Sequence, residues 1–203
     1  MSETVAIDTA RGVVDARFDE APGATAAVLL VGGGDGGFDG PAEALYPALA
    51  ADLVARGVSA LRVDFRIHRF PNDVDESVHD ALAGLDWLAG RGYARVALVG
   101  HSFGGAVVIE AGVRSAHVVA VATLSTQTAG AEHVALLAPK PLLLVHGTAD
   151  VRLPPHCSVL LHRMAGEPKE LLLIEGATHS LRQAREQLRA RLLDWLCAAL
   201  AKR

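Results

Sequence analysis

Residues 95–105 read RVALVGHSFGG. Arg95–Val99 has the filled apolar pattern of a buried strand, and Ala106–Val113 continues as an apolar helix. Between them the chain has to reverse within a few residues, around the pattern Gly-x-Ser-x-Gly at Gly100–Gly104. A turn this tight, the nucleophile elbow, holds Ser102 in a strained backbone conformation with its hydroxyl at the tip. Gly100 and Gly104 are required because side chains there would collide with the adjoining strand and helix; Gly105 extends the tolerance. The same geometry puts Ser102 at a helix N-terminus, with the Phe103 N–H aimed at any oxyanion that develops beside it. The bare pattern is weak in a chain with 20 glycines. A strand before it and a helix after it give it weight.

A serine placed this way needs an acid and then a histidine later in the chain, each just after a strand. Pro141–Val145 is a short apolar run followed by His146-Gly147-Thr148-Ala149-Asp150. Glu170–Ile174 is another, followed by Glu175-Gly176-Ala177-Thr178-His179. Asp150 would orient His179 and stabilise its charged form, and His179 would move the proton of Ser102 Oγ. Taken singly, Asp150 is also explained as a helix cap before Pro154-Pro155, and His179 as a loop histidine. The order of the three and their place after strands favour the joint reading.

A second oxyanion donor is expected where Ala26–Val31, a strand candidate, runs into Gly32-Gly33-Gly34-Asp35-Gly36-Gly37. Backbone N–H groups can approach a ligand there with no Cβ in the way. Gly33 is the first choice and Gly34 the alternative. Gly32, Gly34 and Gly37 also fit the dinucleotide fingerprint, with Asp64 closing the next strand. That fold opens its helix within the glycines, whereas Asp39-Gly40-Pro41 reads as a cap and first helical position, starting a helix over 41–56 that ends at Gly57.

At 203 residues the chain fits one domain, expected over 1–203, able to bury roughly 70% of its unfolded surface. Apolar residues make up 51%, yet no run is long enough to span a bilayer. The start, MSETVAIDTA, has no basic region followed by an apolar one, so no secretory signal is expected. A net charge of −4 without a basic block gives no footing for nucleic acid. Two cysteines, Cys157 and Cys197, suggest no disulfide framework and make a cytoplasmic location the expectation. Cys157, near an expected helix start, is a rival nucleophile, but it follows no elbow and reads better as a packed structural cysteine.

Thr4–Asp8 and Val13–Phe18 alternate as two half-exposed strands. Strands are then expected at 26–31, 58–64, 95–99, 118–124, 141–146 and 170–175. Helices are expected at 41–56, 74–90, 103–113, 155–165 and 181–200. The alternation means an α/β fold, a mostly parallel sheet with helices on both faces. Leu181, Ala184, Leu188, Leu192, Trp195 and Ala199 form a stripe for docking the last helix on the sheet.

From Ala26 onward the chain resembles the small serine-type α/β hydrolases, close to the dienelactone-hydrolase-like group. GHSFGG, HGTAD followed by Pro154-Pro155, and EGATH carry the resemblance. It implies the α/β-hydrolase fold, with an eight-stranded, mostly parallel sheet. It carries the nucleophile onto Ser102, the acid onto Asp150 and the base onto His179, with the Gly33 and Phe103 N–H groups as oxyanion donors. Two departures stand out. Dienelactone hydrolases use a cysteine nucleophile where this chain has Ser102, and many esterases of this fold carry a histidine where this chain has Val31. Lids in this fold commonly lie between the sixth strand and the acid-bearing strand. Ser125–Lys140 is too short for a cap domain, although Ala131–Leu136 can form a small helix.

An open site for small or short-acyl esters is therefore expected, with hydrolysis through an acyl-enzyme intermediate. The same triad would serve acyl transfer, thioester cleavage or perhydrolysis, and a non-catalytic small-ligand-binding protein on this fold is a further alternative. Arg66 and Arg69, in the loop after Asp64, are candidate contacts for a substrate carboxylate, or else pair with Asp73, Asp75 and Glu76. None of the nine histidines has the spacing of a helix-borne zinc site, and the chemistry needs no cofactor or metal. His101 and His146 read as packing residues. The expected partner is a small-molecule ester, without nucleic acid or membrane; the oligomeric state is left open.

Overall fold

Alternation sets the first two strands, Glu3–Thr9 (β1) and Gly12–Asp19 (β2), which pair antiparallel and bury Val5, Ile7, Val14, Ala16 and Phe18 on one face. The filled apolar runs form Ala26–Val31 (β3), Ser59–Val63 (β4), Arg95–His101 (β5), Val118–Leu124 (β6) and Leu142–Gly147 (β7). These are covered on both faces, as parallel strands are. Lys169–Ile174 (β8) closes the sheet as a half-exposed edge. The computed structural model describes residues 2–201; Met1, Lys202 and Arg203 of the expected 1–203 domain lie outside the described residues.

The eight strands lie in the order β1-β2-β4-β3-β5-β6-β7-β8. β2 runs antiparallel to β1 and β4, and every other neighbouring pair is parallel. Val74–Gly90 (α2), Phe103–Arg114 (α3) and His156–Met164 (α4) pack on one face. Pro41–Ala55 (α1) and Arg185–Ala201 (α5) pack on the other. The expected α/β architecture is what the chain adopts, and the stripe from Leu181 to Ala199 lies in the second core layer.

Two helix starts differ from expectation. Pro41 is not followed by a right-handed turn: Ala42, Glu43 and Ala44 have φ of 53°, 55° and 65°. Each left-handed residue costs about 1–2 kcal/mol, so the surroundings have to hold this turn. Ala42 N–H donates to Ser180 O (2.8 Å), Tyr46 N–H to Asp39 O (3.0 Å), and the buried Tyr46 hydroxyl to Val31 O (2.9 Å). The right-handed helix then starts at Leu45, which puts Pro47 in its first turn, where a missing N–H loses no bond. The helix expected over 181–200 is likewise broken. Leu181 is left-handed (φ 56°), Arg182–Ala184 form a 3₁₀ turn, and α5 begins at Arg185. The small helix expected at Ala131–Leu136 is a 3₁₀ turn over Val134–Leu137.

Four strands deliver the site at their carboxyl ends. β3 leads into the glycine loop and β5 into Ser102, while β7 leads to Asp150 and β8 to His179. Close backbone approach holds the first two together. A Cβ on Gly100 would lie 2.1 Å from Gly104 O, and one on Gly104 would lie 2.1 Å from Gly32 O. Gly104→Ala should therefore lower stability by about 3 kcal/mol in denaturant unfolding. Gly90→Ala, at the open end of α2 with nothing within 4 Å of the new Cβ, should stay within about 0.5 kcal/mol of the parent. Equal small losses would contradict the packing argument.

Candidate active site

Ser102 sits between β5 and α3 with φ 55° and ψ −117°, a conformation that costs a non-glycine residue about 1–3 kcal/mol. Two bonds fix it. Ser102 N–H donates to Leu124 O (2.8 Å), and Gly105 N–H donates to Ser102 O (3.0 Å). The Phe103 ring turns inward, edge-on to Phe65 at 5.7 Å between centroids. Its N–H, at the first position of α3, belongs to the helix start, whose donors have no intrahelical acceptor.

His179 Nε2 lies 3.0 Å from Ser102 Oγ, and His179 Nδ1 lies 2.7 Å from Asp150 Oδ2. The three residues sit 77 and 29 positions apart in the chain and meet because their loops leave the same edge of the sheet. Gly147 makes room for this, since a Cβ there would lie 2.1 Å from Ala177 O in the histidine loop. Asp150 is buried, and its Oδ1 accepts from the N–H groups of Arg152 and Leu153, both at 2.9 Å. Burial alone would raise its pKa. The bonds from Leu153, His179 and Arg152 outweigh burial and hold the carboxyl below its usual range. His101 Nε2 lies 3.2 Å from His179 O, and desolvation pushes that ring's pKa down to about 4, so it is neutral and donates to the carbonyl.

The glycine loop faces this relay. A Cβ on Gly33 would meet His101 Nδ1 at 3.4 Å and Ser102 Cβ at 3.6 Å, whereas one on Gly34 would run into the Asn72 side chain at 2.4 Å. Gly33 is thus the glycine that abuts the serine. Asn72 Nδ2 holds Gly34 O (2.8 Å), and Gly37 N–H donates to Asp64 Oδ1 (2.6 Å). Ser102, His101 and His179 open into a cavity of about 650 Å³, walled by the glycine loop, His68, Phe70, Asn72, Gln127, Arg152 and Leu153. A second cavity of about 740 Å³, between β1 and α2, contains none of the three.

Arg66 and Arg69 do not line the site cavity. Arg66 bonds Asp80 (2.5 Å) and Glu76 (2.7 Å), and also Arg11 O (2.5 Å). Because Asp80 is buried, Arg66 serves as its counter-ion and is not free for a substrate. Arg69 is exposed beyond the wall. The arginine in the cavity is Arg152, two residues past the acid; only knowledge of the loop's path could have singled it out. His146, which reads as a packing residue in the sequence, has its Nε2 3.1 Å from Asp150 Oδ2. Its one sequence signal is the four-residue spacing to Asp150. Cys157 is held away from thiolate chemistry, its pKa raised by burial. Among the described residues no group of three or more His, Cys, Asp or Glu is placed to hold a metal ion. Among them, too, no helix is long and apolar enough to cross a membrane.

No family model matches the chain. Over 56 residues it is 41% identical to uncharacterized protein YfhR of Escherichia coli K12, a stretch that is 28% of this chain and 20% of YfhR. The chain thus spans about a fifth of the length of the curated relative it matches. Among solved structures, dienelactone hydrolase from Anabaena variabilis superposes with a TM-score of 0.84 at 18% identity, covering 98% of both chains. XC6422 from Xanthomonas campestris, described as an α/β serine hydrolase without lid, superposes with a TM-score of 0.78 at 17% identity, covering 100% of this chain and 96% of the other. At such identities the likeness is one of fold. The fold is that of the α/β hydrolases, and among the described residues no cap domain interrupts it.

Proposed function

We propose that this α/β-hydrolase-fold chain is a serine hydrolase of small or short-acyl carboxylic esters, working through an acyl-enzyme. The observation that carries this reading is the relay Asp150–His179–Ser102, at 2.7 and 3.0 Å, on a serine held at a left-handed turn before a helix. His179 Nε2 takes the Ser102 proton as Oγ attacks the ester carbonyl carbon. The C=O π pair moves to oxygen, and the Phe103 and Gly33 N–H groups are the donors assigned to that oxyanion. The intermediate collapses, the carbon–oxygen bond to the alcohol breaks, and His179 returns the proton to the departing alkoxide. Water then attacks the acyl-serine with His179 as base, releasing the acid and restoring Ser102 Oγ–H. Asp150 steadies the imidazolium in both halves, its own charge kept by the backbone donors on Oδ1.

The names of the structural neighbours support ester-type chemistry, since a lactone is a cyclic ester. The short-acyl preference follows from a cavity of about 650 Å³ with no cap over it and few apolar walls beyond Phe38, Phe70 and Leu153. With nitrophenyl esters, acetyl and butyryl substrates should turn over faster than decanoyl, and Ser102→Ala or His179→Ala should each cut kcat about 10⁵-fold. A clear decanoyl preference would overturn the acyl assignment, and full activity in Ser102→Ala would overturn the mechanism.

Among the described residues Arg152 is the one lysine or arginine on the cavity wall, which the glycine loop lines with Asp35 and Asp39. Its exposed guanidinium forms no salt bridge among the described residues, so it is free to pair with a carboxylate on the substrate. Arg152→Ala should raise KM about tenfold for a hemisuccinate ester while leaving the matching neutral ester within about twofold. Equal effects on the two esters would remove Arg152 from substrate binding.

A further inference from the structure

His146, the penultimate residue of β7, is fully buried and takes no step in the mechanism above. Its ring is nonetheless bonded on both nitrogens. Nε2 lies 2.9 Å from Leu153 O and 3.1 Å from Asp150 Oδ2, and Nδ1 lies 2.7 Å from Ser158 Oγ on α4. A carbonyl and an ionised carboxylate can only accept, so Nε2 carries the proton and donates to both. Burial holds the ring neutral, so Nδ1 is bare and accepts from the Ser158 hydroxyl. The tautomer is thereby fixed by three neighbours.

Asp150 Oδ2 consequently serves two rings, His146 Nε2–H at 3.1 Å and His179 Nδ1–H at 2.7 Å, while Oδ1 serves two backbone donors. We propose that His146 is a positioning residue that shares Asp150 Oδ2 with His179 and limits how tightly the acid holds the base. The role assigned to the base rests on the hydrolase reading; the shared oxygen does not. The other charged or titratable groups around this centre are His101, which holds His179 O, Arg152 on the acid loop, and Cys157 on α4. A donor shared in this way draws charge away from the His179–Asp150 bond. Without it, the full carboxylate charge faces His179, and the bond from Nδ1–H to Oδ2 tightens.

Nitrogen-15 histidine NMR on the full chain tests this without calling on activity. In the wild type at neutral pH, His146 should show the Nε2–H tautomer; a bare Nε2 would overturn the proposal whatever any variant does. In His146→Leu the His179 Nδ1 proton should move further downfield. In His146→Gln, whose amide nitrogen can reach the same oxygen, it should return towards the wild-type position. A packing role alone would lower Tm in both variants and leave the resonance in place, which would overturn the proposal. If the wild type hydrolyses no ester, the hydrolase reading fails, and the tautomer and the Nδ1 resonance still decide whether the oxygen is shared.

Discussion

The backbone of Gly104 lies so close to the carbonyl of Gly32 that a single added carbon would sit 2.1 Å from it. Through this approach the start of α3 is pressed against the end of β3, and the glycine loop is brought beside Ser102. The carbonyl of Gly104 in turn crowds Gly100, so β5, the turn and α3 form one unit with no room for a side chain at either glycine. Ser102 is forced to φ 55° by that unit, and the strain is held by the core around it. The geometry at Ser102 is thus a consequence of backbone packing, reached before any side chain of the relay is placed.

The acid and the histidine are positioned by a second interlock of the same kind, where Gly147 at the end of β7 admits the backbone of Ala177. This brings the two loops together over a buried carboxylate. Burial would favour protonating Asp150, and the donors around it reverse that preference, so the ionised acid is built into the fold. The two constraints meet at His101, whose ring lies between Gly33 and the carbonyl of His179.

Much of this was legible in the sequence because the features involved are local. A filled apolar run, a glycine pattern and an apolar helix follow one another at 95–113, and the strand-then-loop signature repeats before Asp150 and His179. What was not legible depends on contacts between distant segments. The left-handed turn at Ala42–Ala44 is held by Ser180 and Asp39, so Gly40-Pro41 looked like an ordinary helix start. Of the two roles open to Arg66, the structure gives pairing with Glu76, and it adds Asp80, on α2, a buried partner that nothing in the sequence marks. Arg152, and the bond from His146 to Asp150, are invisible in the sequence for the same reason. Their meaning comes from the path of the loop around Asp150 and not from their neighbours in the chain.

The central claim is that the elbow and the relay together make Ser102 an activated nucleophile. Intact-mass analysis after treatment with a fluorophosphonate, with peptide mapping of the adduct, tests it without a choice of substrate. The account predicts one adduct, on Ser102, that is lost in His179→Ala. A folded protein that takes up no adduct, or carries it on another residue, would contradict it.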